Sequence, residues 1–74
     1  MTDVEAVERL RAMGEAGWYW HAARGRLTDD EPMYGVGLYR PDANGDEMEI
    51  VGEGDTLGDA VSAVLEALAE RVKN

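Results

Sequence analysis

The sequence predicts an α+β fold, in which a three-stranded antiparallel sheet packs against two helices in the chain order α-β-β-β-α. Three observations favour this class. Apolar residues recur at helical spacing near both ends of the chain. Apolar and polar residues alternate in three central segments, and an Asn-Gly pair separates the last two of them. With 74 residues, the chain is expected to form a single domain over 1–74.

The first helix is predicted over about residues 3–15. Thr2 followed by Glu5 is a capping-box pattern, typical of a helix start. Gly14 and Gly17 are expected to mark its exit. The apolar stripe of this helix consists of Val4, Val7 and Leu10, with Ala6 and Met13 beside them.

Two aromatic-rich segments are predicted as strands over about 18–25 and 33–40. Side chains alternate between the two faces of a strand. The first segment therefore places Trp18, Trp20 and Ala22 on one face and Tyr19, His21 and Ala23 on the other. The second places Tyr34, Val36 and Leu38 on one face and Gly35, Gly37 and Tyr39 on the other.

A third strand is predicted over about 47–52, and Gly52 and Gly54 are expected to break it. Met48 and Ile50 would point inward, whereas Glu47, Glu49 and Val51 would point outward. A second helix is predicted over about 56–72, with Thr56 as its N-cap. The sheet face that carries the tryptophans should meet a helix, but the pattern leaves open whether both helices lie on it.

Composition excludes several classes of function. The chain has 16 acidic and 7 basic residues, a net charge of -9, and no cysteine. The negative charge argues against direct binding to nucleic acid or to an anionic membrane, because both are held by basic surfaces. The chain lacks an apolar run long enough to span a membrane and an N-terminal signal-peptide pattern. We therefore expect a cytoplasmic protein.

The acidic residues are concentrated between 42 and 59, a segment without a basic residue. Glu47 and Glu49 should lie on one strand face about 7 Å apart. Carboxylates in a row at this spacing resemble the negative charges along one strand of a phosphate backbone. This pattern predicts a basic protein partner, although the segment could equally serve only solubility. Tyr19 and Tyr39 are candidate anchors for that partner. The predicted contact residues are Asp42, Asp46, Glu47, Glu49, Glu53, Asp55, Tyr19 and Tyr39.

Catalytic and metal-binding patterns are weak. His21 is the only histidine, and Ser62, the only serine, lies inside a predicted helix, so a nucleophilic triad has no plausible layout. We expect no catalytic residue, no bound metal and no cofactor. A calcium-binding loop from Asp42 to Glu53 is an alternative, although Glu47 stands where such a loop needs glycine.

The whole chain resembles small phage-encoded α-β-β-β-α proteins of the ABA-sandwich kind. The resemblance rests on the helix running into Gly17-Trp18-Tyr19-Trp20 and on the closing Gly54-Asp55-Thr56-Leu57. Some small acidic phage proteins are anti-CRISPR or anti-restriction inhibitors that imitate the charge of DNA. This resemblance implies a non-enzymatic inhibitor, and its partner would be a nucleic-acid-binding protein of the host.

A second resemblance is to HicB-type antitoxins, through Pro41-Asp42-Ala43-Asn44-Gly45 and Gly54-Asp55-Thr56. It implies that the partner is a small basic ribonuclease toxin. The spacing between the two motifs is longer here than in that family. A homodimer also stays open, since a domain this small gains stability by pairing.

Overall fold

A computed structural model describes residues 1–41, 44–45 and 47–73. The elements follow the predicted order: α1 is Asp3–Glu15, β1 is Tyr19–Arg24, β2 is Tyr34–Pro41, β3 is Glu47–Gly54 and α2 is Leu57–Lys73. The predicted fold class is confirmed: a three-stranded antiparallel sheet with two helices.

The start of α1 is stabilised by the predicted capping box. The Glu5 amide donates to Thr2 Oγ1 at 3.1 Å, and the Thr2 amide donates to Glu5 Oε1 at 3.3 Å. At the other end, Gly17 has φ +99°, a left-handed conformation that lets the chain turn sharply into β1. The Thr56 hydroxyl likewise caps α2 by accepting the Asp59 amide at 3.0 Å.

The strands pair in the spatial order β1-β2-β3, with β2 in the centre. One cross-strand row joins Trp20, Leu38 and Ile50, and the next joins Tyr19, Tyr39 and Glu49. Because successive rows point to opposite faces, we call the face of Leu38 the inner face and the face of Tyr39 the outer face.

Both helices pack on the inner face. A methyl group added to Gly52 would meet the backbone of α2 at Ala60 and Val64. A methyl group added to Gly14 of α1 would lie 3.6 Å from Nε1 of Trp20. Trp20 lies in the same cross-strand row as Leu38, and Gly52 lies in the row two positions away. Both residues therefore share the inner face with Leu38. No described helix therefore covers the outer face.

The core lies between the inner face and the helices. Its buried residues are Ala6, Leu10, Trp18, Val36, Leu38, Ile50, Ala60, Val61 and Val64. Their burial excludes water from one side of the sheet only. The fold thus has two layers, with one sheet face free for contacts outside the core.

Three sequence-based expectations were wrong in detail. The strand β3 continues through Gly52 and Gly54, because these glycines let the backbone of α2 approach closely instead of ending the strand. The face shared by Trp18 and Trp20 predicts that both belong to the core, but Trp20 is 43% exposed, since β1 is an edge strand that α1 covers only in part. Of the predicted apolar stripe of α1, Leu10 and the neighbouring Ala6 are buried, whereas Val4 and Val7 are exposed because α1 turns only the Ala6 and Leu10 side towards the core.

Candidate protein-interaction face

The outer face gathers the side chains of alternate residues from all three strands. Its members are Tyr19, His21 and Ala23 of β1, Gly35, Gly37 and Tyr39 of β2, and Glu47, Glu49, Val51 and Glu53 of β3. Five of the eight predicted contact residues are therefore on one surface: Tyr19, Tyr39, Glu47, Glu49 and Glu53. The antiparallel register brings together residues that are up to 34 positions apart in the chain, from Tyr19 to Glu53.

Tyr19 and Tyr39 form a stacked aromatic pair on this face. Their ring centroids are 5.5 Å apart and the ring planes differ by 22°. Tyr19 is 61% exposed although it is a large aromatic residue. Tyrosine combines a large apolar surface with a hydroxyl that tolerates water, so such a pair suits a contact surface.

His21 bridges the middle of the face, an arrangement that sequence reasoning missed. Its imidazole lies over Gly37, where an added methyl group would collide with the ring. Nε2 is 3.9 Å from Oε2 of Glu49, close enough for an ion pair when the imidazole is protonated. The sequence signal for this contact is a glycine in β2 opposite a histidine in β1. Only the strand register shows that the imidazole ring also reaches Glu49 of β3.

The carboxylates of β3 have few internal partners. Glu47, Glu49 and Glu53 are exposed, and within the described ranges neither Glu47 nor Glu53 makes an ion pair. The nearby arginines are engaged on the inner face, where Arg40 lies 4.1 Å from the ring centroid of Trp18 and Arg24 lies 5.9 Å from that of Tyr34. The outer face is consequently negative, with His21 as its one residue that can become cationic.

One end of the face opens into a shallow depression of about 400 Å³. An added methyl group on Gly35 would meet nothing within 4 Å, so the floor of this depression is bare backbone. Two carboxylates, those of Glu31 and Glu53, line it together with Pro32. The depression is therefore open and bordered by negative charge.

The other three predicted contact residues are Asp42, Asp46 and Asp55. Asp42 and Asp46 lie outside the described residues, so the structure says nothing of them. Asp55 follows β3 and lines a second depression beside Arg24 and Arg26, near the start of α2. Asp59 belongs to the first turn of α2 and lies next to Gly54, on the inner face. The acidic segment predicts Glu53, Asp55 and Asp59 together at one corner, but Glu53 is on the outer face and Asp59 is on the inner face.

The part of the chain that the structure describes contains neither a metal-holding cluster nor a membrane-spanning helix, and Asp42 and Asp46 of the predicted calcium loop lie outside it. No group of three or more His, Asp or Glu side chains is arranged within the described residues to hold a metal ion. Neither described helix is long and apolar enough to cross a membrane. Comparison with protein families, with curated proteins and with solved structures found no match to this chain.

Proposed function

We propose that this chain is a non-enzymatic interaction protein whose outer face binds a basic surface of another protein. One observation carries the proposal. Glu47, Glu49 and Glu53 of β3 lie on the outer face of the sheet, which no described helix covers, together with the stacked Tyr19–Tyr39 pair. The carboxylates match a basic partner in charge, and the tyrosines add apolar contact area.

The kind of partner that best fits the outer face is a protein that normally binds nucleic acid. Glu47 and Glu49 are separated by a rise of about 7 Å along one strand face, so they present negative charge in a row. A surface built to hold phosphates offers lysine and arginine side chains in a matching row. The chain would then act as an inhibitor that occupies this surface on a host defence protein, as small acidic phage proteins do.

The net charge of -9 supports the same mechanism at longer range. A strong field of one sign steers an oppositely charged partner and raises the association rate, and salt screens this effect. Glu47 and Glu53 are exposed and make no ion pair among the described residues, so a partner that binds these two carboxylates has no internal salt bridge to break.

The test compares two double charge reversals. Glu47→Lys with Glu49→Lys changes the outer face, whereas Glu8→Lys with Glu15→Lys makes the same change in net charge on exposed positions of α1. The immobilised chain would capture proteins from a bacterial lysate, and the purified captured protein would then be measured by surface plasmon resonance at two salt concentrations.

We expect the outer-face variant to lower the affinity by about tenfold or more, mainly through faster dissociation. The α1 variant should slow association at low salt and leave dissociation unchanged. Competition by duplex DNA or RNA should release the partner. Equal effects of the two variants, or a partner indifferent to nucleic acid, would refute the mechanism. Capture of a small ribonuclease would instead favour the HicB-like antitoxin.

A further inference from the structure

The two edges of the sheet differ in how they are protected. The edge of β3 is covered at one point by α2, because Arg71 Nη1 donates to the carbonyl oxygen of Glu49 at 3.3 Å. Among the described residues, the edge of β1 has no such cover: all six residues of Tyr19–Arg24 are exposed, and the strand pairs with β2 alone. An unprotected edge strand is a template for another strand.

The hydrogen-bond pattern shows which groups face this free edge. The Gly25 amide donates to the Met33 carbonyl at 2.8 Å, in continuation of the β1–β2 register. Hydrogen-bonded and non-hydrogen-bonded positions alternate along an antiparallel pair. The backbone groups of Trp20, Ala22 and Arg24 therefore point away from β2. In the β2–β3 pair, the same alternation directs the carbonyl group of Glu49 away from β2. Arg71 donates its hydrogen bond to this outward carbonyl oxygen.

We propose that a second copy of this chain pairs with β1 in antiparallel orientation, with Ala22 on the two-fold axis. The three outward residues are then self-complementary. Ala22 faces Ala22 of the second copy, and its small side chain causes no collision. Trp20 faces Arg24 of the second copy, and Arg24 faces Trp20. The strands would exchange about six backbone hydrogen bonds.

The opposed side chains suit each other chemically. An arginine guanidinium over an indole ring is a favourable cation–π contact, and cross-strand neighbours lie close enough to make it. Arg24 also lies 5.9 Å from the ring centroid of Tyr34, its cross-strand neighbour in β2, so in the dimer Arg24 would stand between Tyr34 and the second Trp20. Each copy contributes one tryptophan and one arginine.

The distribution of charge favours β1 over β3 as the pairing edge. β1 has no acidic residue and carries Arg24, whereas β3 carries Glu47, Glu49 and Glu53. Pairing through β1 places the two β3 strands at opposite edges of a six-stranded sheet, about 24 Å apart at the usual strand spacing. This distance exceeds the Debye length of about 8 Å at physiological salt, so the acidic strands scarcely repel each other.

The second copy would also cover exposed apolar side chains beside the edge. Trp20 is 43% exposed and Val7 of α1 is 47% exposed. Val7 lies two helical turns before Gly14, on the same side of α1, and Gly14 lies over the Trp20 indole. Apolar surface exposed next to an open strand edge is what a dimer interface buries.

Single-cysteine variants test the register directly, because the chain has no cysteine of its own. Two Ala22→Cys residues on the axis would have Cα atoms about 5.5 Å apart, which suits a disulfide. Two Ala23→Cys residues would lie diagonally, about 7–8 Å apart, beyond easy reach. We expect mild oxidation to link Ala22→Cys quantitatively into a dimer on a non-reducing gel and to leave Ala23→Cys largely unlinked.

Sedimentation equilibrium of the untagged chain supplies the independent readout. The wild-type protein should sediment as a dimer of the 8.1 kDa chain. Ala22→Lys places two like charges opposite each other on the axis and should return the chain to the monomer, whereas Ala23→Lys should stay dimeric. A monomeric wild type, or equal cross-linking of both cysteine variants, overturns the proposal. Circular dichroism verifies that each variant is folded.

Discussion

The two faces of the sheet use glycine in opposite ways. On the inner face, Gly52 and Gly54 remove side chains so that the backbone of α2 can lie directly on β3. On the outer face, Gly35 leaves open space and Gly37 leaves room for the imidazole of His21. The same residue type therefore builds the core on one side and keeps a surface accessible on the other. Close packing stabilises the first face, and the second is free to bind.

The largest expected effect comes from filling the inner-face space. Gly52→Ala would push a methyl group into the α2 backbone, which cannot move without displacing the helix. We expect a loss of about 3 kcal/mol in the free energy of unfolding, as for other overpacked cores. Urea denaturation followed by circular dichroism measures it.

Gly35→Ala is the matched control for that experiment. It adds the same methyl group to a strand position where nothing lies within 4 Å, so stability should change by less than about 0.5 kcal/mol. Equal losses for the two variants would mean that the faces do not differ in packing as described.

A smaller loss is expected from the capping of α1, which is local and independent of either sheet face. Thr2→Ala removes the hydroxyl that accepts a hydrogen bond from the Glu5 amide. It should lower the free energy of unfolding by about 1 kcal/mol. Thermal unfolding of Thr2→Ala and of Thr2→Ser measures this loss. The serine variant retains the hydroxyl, so a comparable loss for serine would contradict the capping explanation.

The same cap predicts a pH dependence. Hydrogen bonds from the Thr2 backbone amide, and then from its side chain, hold the pKa of Glu5 below its ordinary value. A carboxylate with a lowered folded-state pKa stabilises the protein above its unfolded-state pKa, and this contribution is lost as pH falls through the folded-state pKa. The stability difference between wild type and Glu5→Gln should be constant near neutrality and shrink in the acidic range, as urea titrations at several pH values would show.

The tyrosine pair should add a modest amount of stability to the outer face. A double-mutant cycle with Tyr19→Leu and Tyr39→Leu isolates the interaction between the two rings from the burial of each. We expect a coupling energy of about 0.5 kcal/mol, at the low end for aromatic pairs because Tyr19 is largely exposed. A coupling energy of zero would mean that the stack contributes nothing to the fold.

The smallest stability effect is expected from a carboxylate on the proposed binding face. Glu53→Gln removes one of the like charges on β3 and should change the free energy of unfolding by less than about 0.5 kcal/mol, towards higher stability at low salt. The same change should weaken partner binding. A substantial loss of stability would show instead that Glu53 supports the fold.

Most of the fold could be predicted from local patterns. The capping box at Thr2, the apolar periodicity of α2 and the alternation in β2 depend on neighbouring residues, and the helix and strand assignments followed from them. The grouping of Glu47 and Glu49 on one face with Tyr39 also followed, because the strand period is two. The wrong predictions concern the exposure of Trp20, Val4 and Val7, and the end of β3 at Gly52, because each depends on which distant element packs against these residues and not on their spacing.

The sequence by itself determined the order of the elements, the two faces of each strand and the concentration of acidic residues, because these properties arise from periodicity and composition. Only the tertiary structure decided that both helices lie on one face, that His21 reaches Glu49 above Gly37, and that Glu53 and Asp59 lie on different sides of the molecule. Those features depend on contacts between residues distant in the chain, and a local pattern carries no information about which distant backbone will approach a given glycine.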